Sequence, residues 1–145
     1  MIRISEASAT GLSGDRQGAR GALSRLWGEM GTRADPLERV AFAHSMADFQ
    51  EELPDELAWD LRALEAAGDV TDELCIARVS VGSARALYPS LHLNLADVYE
   101  RLGDQRHAEE HLRLGRTAID ELGEDGYLTM ISDALDRVER RLTGD

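Results

Sequence analysis

Apolar residues recur along this chain at steps of three and four: Ala19, Leu23, Leu26 and Met30; Leu57, Leu61 and Leu64; Leu91, Leu95, Val98 and Leu102. Ala108, Leu112, Gly115, Ile119 and Leu122 continue the pattern, and Tyr127, Ile131, Leu135, Val138 and Leu142 close it. Such steps trace one face of an α-helix, and the period-two alternation of a strand is nearly absent. The pattern predicts an all-α fold with helices over 15–30, 36–50, 55–67, 88–102, 104–122 and 125–142. A short helix precedes Gly14, and 71–87 reads as partly helical, with Gly82 and Pro89 leaving its form open.

The breaks between stripes carry end chemistry. Gly14-Asp15, Pro54-Asp55, Gly68-Asp69 and Gly103-Asp104 each place a helix-ending residue before an aspartate. A glycine closes one helix in the left-handed conformation, and the aspartate then accepts from the first free amides of the next. Asp35-Pro36 reads as an N-cap followed by proline at the first helical position. Connections this short imply antiparallel neighbours.

The chain also repeats itself. Gly14-Asp15, Ala19 and Leu23 recur with identical spacing as Gly103-Asp104, Ala108 and Leu112. Met46-Ala47-Asp48, Leu53-Pro54-Asp55 and Ala58 echo Leu95-Ala96-Asp97, Leu102-Gly103-Asp104 and Ala108, one residue shorter. Three helical hairpins follow, in which small residues such as Ala96 and Ala108 let two helices approach while Leu95, Tyr99 and Leu112 fill the space beside them. A hairpin cannot bury both its faces alone, so such units stack.

On these residues the chain resembles the tetratricopeptide repeat (TPR) family. Over 92–118, Leu95-Ala96, Tyr99, Gly103, Ala108 and Leu112 stand at the family's Leu-Gly/Ala, Tyr, Gly, Ala and aromatic positions. His92 replaces the family's tryptophan and Gly115 its alanine, and no proline closes the unit near Asp120. The resemblance implies a single domain over 1–145, with hairpins at about 1–30, 36–67 and 88–122 stacked as a short right-handed superhelix and capped by helix 125–142. It also implies a concave face, lined by the first helix of each hairpin, that binds a peptide or partner protein. On that face would stand His44, Asp48 and Glu52 from the middle hairpin, and Ser90, Leu93, Asn94, Asp97 and Arg101 from the third. Asn94 is the leading contact, because a side-chain amide pairs with an extended peptide's donor and acceptor together and the family uses an asparagine near this position. Arg101 suits a carboxylate held bidentately.

Composition narrows the function. The 145 residues are 43% hydrophobic and 30% charged, enough chain and apolar content to bury a core without a disulfide or metal. A net charge of −12 opposes approach to a phosphate backbone, so nucleic acid is not an expected partner. No lysine occurs, which removes the phosphate-loop lysine, the Schiff base and the Ser-Lys dyad; all 16 basic residues are arginine, a usage that fits a GC-rich bacterial genome. Lone Cys75 reads as a small buried hydrophobe. No apolar run approaches the ~20 residues of a spanning helix, and 1–13 has no block like a signal peptide's core, so a cytoplasmic protein without membrane contact is expected.

Six acids and no base lie between Asp48 and Asp60, which favours a basic peptide as partner. His107 and His111 are four apart on a helix, but Ala108 stands where a zincin motif has its general base and no third ligand is evident, so no metal is expected. Trp27 and Trp59 fall on the second helices of their hairpins, in positions for core or inter-hairpin packing, with a dimer contact as the alternative. The expected function is a protein-protein interaction module, not an enzyme, with no cofactor. The alternatives are a homodimerising structural protein, or a small-molecule sensor or enzyme using His44, Asp48 and His92.

Overall fold

In the computed structural model, which describes every residue except 1, 80, 81, 124 and 145, and only the backbone of 2, 32 and 79, the described residues are all-α. Positions 80 and 81, within the stretch read as partly helical, thus lie outside the described residues. The chain forms two compact units, 1–70 and 71–145. No helix among the described residues is long and apolar enough to cross a membrane.

The first unit contains α1 (Ile2–Leu12), α2 (Arg16–Met30), α3 (Pro36–Asp48) and α4 (Leu53–Ala67), with a 3-10 turn at Gly31–Arg33. Helices α1 and α2 pair as a hairpin, α3 packs on both, and α4 pairs with α3. The core joins Ile4 and Ala7 of α1, Ala19, Leu23 and Leu26 of α2, and Phe42 and Met46 of α3, with Phe49 beyond it. Phe42 is enclosed by aromatic rings, Trp27 at 5.0 Å and Trp59 at 6.0 Å between centroids, while the two tryptophans meet edge to face at 5.9 Å. The tryptophans therefore join α2, α3 and α4, as their placement on second helices suggests.

Gly11 is buried where α1 meets α2. A Cβ there would run into the Phe49 ring and would lie 2.8 Å from the Ala19 Cβ. Gly11→Ala is therefore expected to destabilise unit 1 by about 1–3 kcal/mol despite alanine's better helix propensity, a cost readable in a urea titration. An unchanged midpoint would show that the close approach does not matter.

The second unit contains α5 (Asp72–Val79), a 3-10 turn at Ala84–Leu87, α6 (Tyr88–Leu102), α7 (Gln105–Leu122) and α8 (Gly126–Thr143). Helices α6 and α7 form a hairpin and α8 packs on both. Ala96, Leu112, Ile131, Leu135 and Val138 form its core.

The helix ends match the sequence at two of the four predicted breaks. Gly14 has φ 116° and Gly103 φ 80°. Asp15 accepts from the Gly18 amide at 2.8 Å, and Asp104 from the His107 amide at 3.2 Å. Asp35 and Glu38 form a reciprocal capping box at 2.9 and 3.1 Å, with Pro36 just inside the helix.

The other two breaks need correction. Helix α4 begins at Leu53, so Pro54 and Asp55 lie in its first turn, and Glu52 holds the cap position without a side-chain bond. Gly68 keeps a right-handed φ of −62°, and the hydroxyl of Thr71, not Asp69, accepts from the Leu74 amide at 3.2 Å. The apolar stripe of α4 is also displaced. Asp60, Ala63, Ala66 and Ala67 are its buried residues, while Leu61 keeps 40% of its surface in solvent. Alanines allow α3 and α4 to lie close, and the leucines are left to the flanks.

Candidate functional site

His44 and Asp48 lie on α3 and line one cleft against α1. The cleft encloses about 380 Å³, with Ile4, Ala9 and Leu12 along the α1 wall and Ala41 and Phe49 opposite. Leu12, at 83% exposure, leaves a large apolar side chain at its edge. Ser8 also lines this cleft, and its Oγ is itself buried, with no hydrogen-bond partner among the described residues. His44 Nε2 stands 3.7 Å from Asp48 Oδ2, one turn away on the same helix.

The helix end fixes this corner. Arg16 donates to the Asp48 carbonyl at 2.8 Å and lies over the Phe49 ring, so the backbone at the end of α3 is tied to the start of α2. The Asp48 side chain keeps 58% of its surface in solvent, and partial desolvation raises its carboxyl above the usual carboxylate range; Glu56 pushes the same way, while His44 and Arg16 oppose. A cation in the cleft would relieve that cost. Glu52, in the same unit, is exposed at the start of α4.

The five remaining groove candidates lie on α6, in the second unit. Ser90 donates its hydroxyl to the Leu87 carbonyl at 3.2 Å. Leu93 packs against the α6–α7–α8 core, so its place on a polar stripe has a packing explanation. Asn94 is half-buried. Asp97 accepts from Arg101 at 2.7 Å and also pairs with Arg141 of α8, whose Nε reaches Glu100 at 3.2 Å. Asp97 thus serves both Arg101 and the α6–α8 contact.

The remaining chemistry of the second unit is a file of rings between α6 and α7. At the turn end, Asp104 accepts from His107 Nδ1 at 2.7 Å while also capping α7, and this bond holds the Asp104 carboxyl below its ordinary range. His107 stacks on Tyr99 at 4.9 Å, Tyr99 on His111 at 5.6 Å, and Tyr88 on His92 at 6.0 Å. His92 and His111 are each only 8% exposed, and their Nδ1 atoms face each other at 3.0 Å. Their centroids are 5.3 Å apart, larger than the nitrogen separation by about a ring radius at each end. The rings therefore meet edge to edge, with both nitrogens near the line of centres.

That geometry suits one shared proton. A tetrahedral zinc would lie off that line, with the two lone pairs converging on it and the nitrogens about 3.3 Å apart, whereas these nitrogens point straight at each other. His107 and His111, the helical pair legible in the sequence, instead turn to Asp104 and His92. No group of three or more His, Cys, Asp or Glu side chains among the described residues is arranged to hold a metal.

The His92–His111 contact is what sequence reasoning missed. Its signal was present in the hairpin register: one turn from Ala96 leads to His92, and one turn from Ala108 leads to His111, away from the shared turn at Gly103-Asp104. Comparison with known proteins adds no relative: no family model, curated protein or solved structure matches this chain.

Proposed function

We propose that this chain is a TPR-like interaction module, and that its first unit binds an extended peptide bearing a basic residue in the α1–α3 cleft. The observation that carries this reading is a largely apolar cleft of about 380 Å³ that has the solvent-accessible Asp48 carboxylate in its lining. Apolar walls supply area for peptide side chains, and the carboxylate supplies one accessible negative charge that a basic side chain can pair with. Glu51, Glu52 and Glu56 extend the negative field beyond it.

The order of packing supports the repeat reading. In each unit a hairpin is followed by a helix laid against both its members, α3 on α1 and α2, and α8 on α6 and α7. That is the step by which helical repeats add to a stack. The TPR positions of the third hairpin are consistent with it: Leu95, Ala96 and Ala108 are fully enclosed, and Gly103 turns the chain in the left-handed conformation.

Short synthetic peptides of one leucine- and alanine-bearing sequence, differing only in a central lysine, glutamine or glutamate, test the reading by titration calorimetry. The lysine peptide is expected to bind most tightly and the glutamate peptide least. Asp48→Asn should weaken the lysine peptide by about fivefold, the size of a charge-assisted bond discounted for solvent, without lowering the melting temperature. Equal binding of all three, or binding of none, would overturn the proposal.

A further inference from the structure

The His92–His111 bridge has a strict proton inventory. In the neutral pair one Nδ1–H donates and the other Nδ1 accepts across 3.0 Å. A first added proton settles on an outward Nε2 and leaves the bridge intact, as an imidazolium donating to an imidazole. A second must take the only bare Nδ1, and two N–H groups then point at each other. A half-turn of either ring within its stack on Tyr88 or Tyr99 would replace one N–H by a C–H and leave the other N–H without its acceptor, so the bridge is lost either way.

We infer that His92 and His111 form an acid-released clasp, which ties α6 to α7 by a buried N–H···N bond at neutral pH and parts them when the pair takes up its second proton.

The surroundings determine how hard that second proton is to accept. From α6 come the phenols of Tyr88 and Tyr99, which add no charge. From α7 come His107, through its stack on Tyr99, and Glu110, whose carboxylate alone favours a charged His111. Asp104 is committed to His107. Helix α8 contributes apolar Leu135, which would lie 3.3 Å from a Cβ on Gly115, a position that also approaches the His92 Cβ. The 3-10 turn at Ala84–Leu87 contributes Arg85, which is exposed. Burial consequently holds both imidazoles below their ordinary 6.5: His92 falls to about 4, with the His111 charge adding to the burial, and His111 falls too, with His107 opposing its protonation.

The direction of the pH effect follows. With native values depressed, the unfolded chain binds more protons as pH falls from about 6.5 towards about 4, so the clasp's contribution is complete above that window and drains away through it.

The test is a urea titration of the full chain at pH 7, 6 and 5, beside the double variant His92→Phe/His111→Phe. The wild-type unfolding constant of the second unit should rise by up to about tenfold per pH unit for each proton taken up, and the double variant should lose that extra steepness. The same acid slope in both proteins would overturn the inference. A second measurement works if the variant does not fold: nitrogen-15 spectra of the wild-type imidazoles at pH 7. One protonated and one bare Nδ1, coupled to each other and unmoved down to pH 5.5, support the clasp. Two rings titrating independently near 6.5 refute it.

Discussion

Phe42→Ala is expected to lower the stability of the first unit by about 3–5 kcal/mol. The side chain is 1% exposed and sits between Trp27 at 5.0 Å and Trp59 at 6.0 Å. Removing the ring leaves a void that three helices line, and neither indole can slide into it without giving up its edge-to-face contact with the other. Part of the cost is the lost transfer energy of the ring and part is the unfilled cavity. Amide hydrogen exchange checks this locally: protection in α2, α3 and α4 should fall together. Leu61→Ala serves as the contrast, since Leu61 stands at 40% exposure on the flank of α4 and should cost no more than about 1 kcal/mol. Equal losses from the two substitutions would mean the assigned faces of α4 are wrong.

Leu135→Ala should cost the second unit about 2–5 kcal/mol. Leu135 is fully buried where α8 crosses the α6–α7 hairpin, facing Gly115 across a gap that would leave only 3.3 Å to an added Cβ. Because Gly115 has no side chain to relax into the void, the cavity stays open, which places the loss in the upper half of that range. Met130, on the same helix but 56% exposed, should be replaceable by alanine within about 0.5 kcal/mol. A denaturant midpoint for Leu135→Ala close to that of Met130→Ala would show that α8 is only loosely attached.

Periodicity was enough for the all-α class and for the packing face of α2, where Ala19, Leu23 and Leu26 are buried as their spacing suggests. It misled at α4 because two stripes share the same helix. Leu57, Leu61 and Leu64 step correctly, but so do Ala63 and Ala67, with Ala66 beside them, and close approach to α3 favours the smaller side chains. Hydrophobicity ranks leucine first, whereas the distance between helix axes ranks alanine first, and only the neighbouring helix decides. The Gly-Asp pairs show a related limit. Gly103 turns left-handed because α7 starts directly after Asp104, while past Gly68 the chain runs on to Thr71 before α5 is capped.

At the candidate site, partners close in sequence were readable and distant ones were not. The i,i+4 pairs His44–Asp48 and Asp97–Arg101 follow from helical spacing alone. The Arg141 bond to Asp97 joins residues 44 apart, and it requires knowing how α8 crosses α6. The wall that α1 adds to the Asp48 cleft is likewise a matter of tertiary packing, as is the meeting of His92 with His111.

The aromatic residues are divided between the units. Both tryptophans, Trp27 and Trp59, belong to the first, and all three tyrosines, Tyr88, Tyr99 and Tyr127, to the second. Emission excited at the red edge of the indole band therefore reports on residues 1–70 alone, while the tyrosine signal originates in 71–145. One unlabelled sample can then tell whether the two halves lose their structure together or in turn.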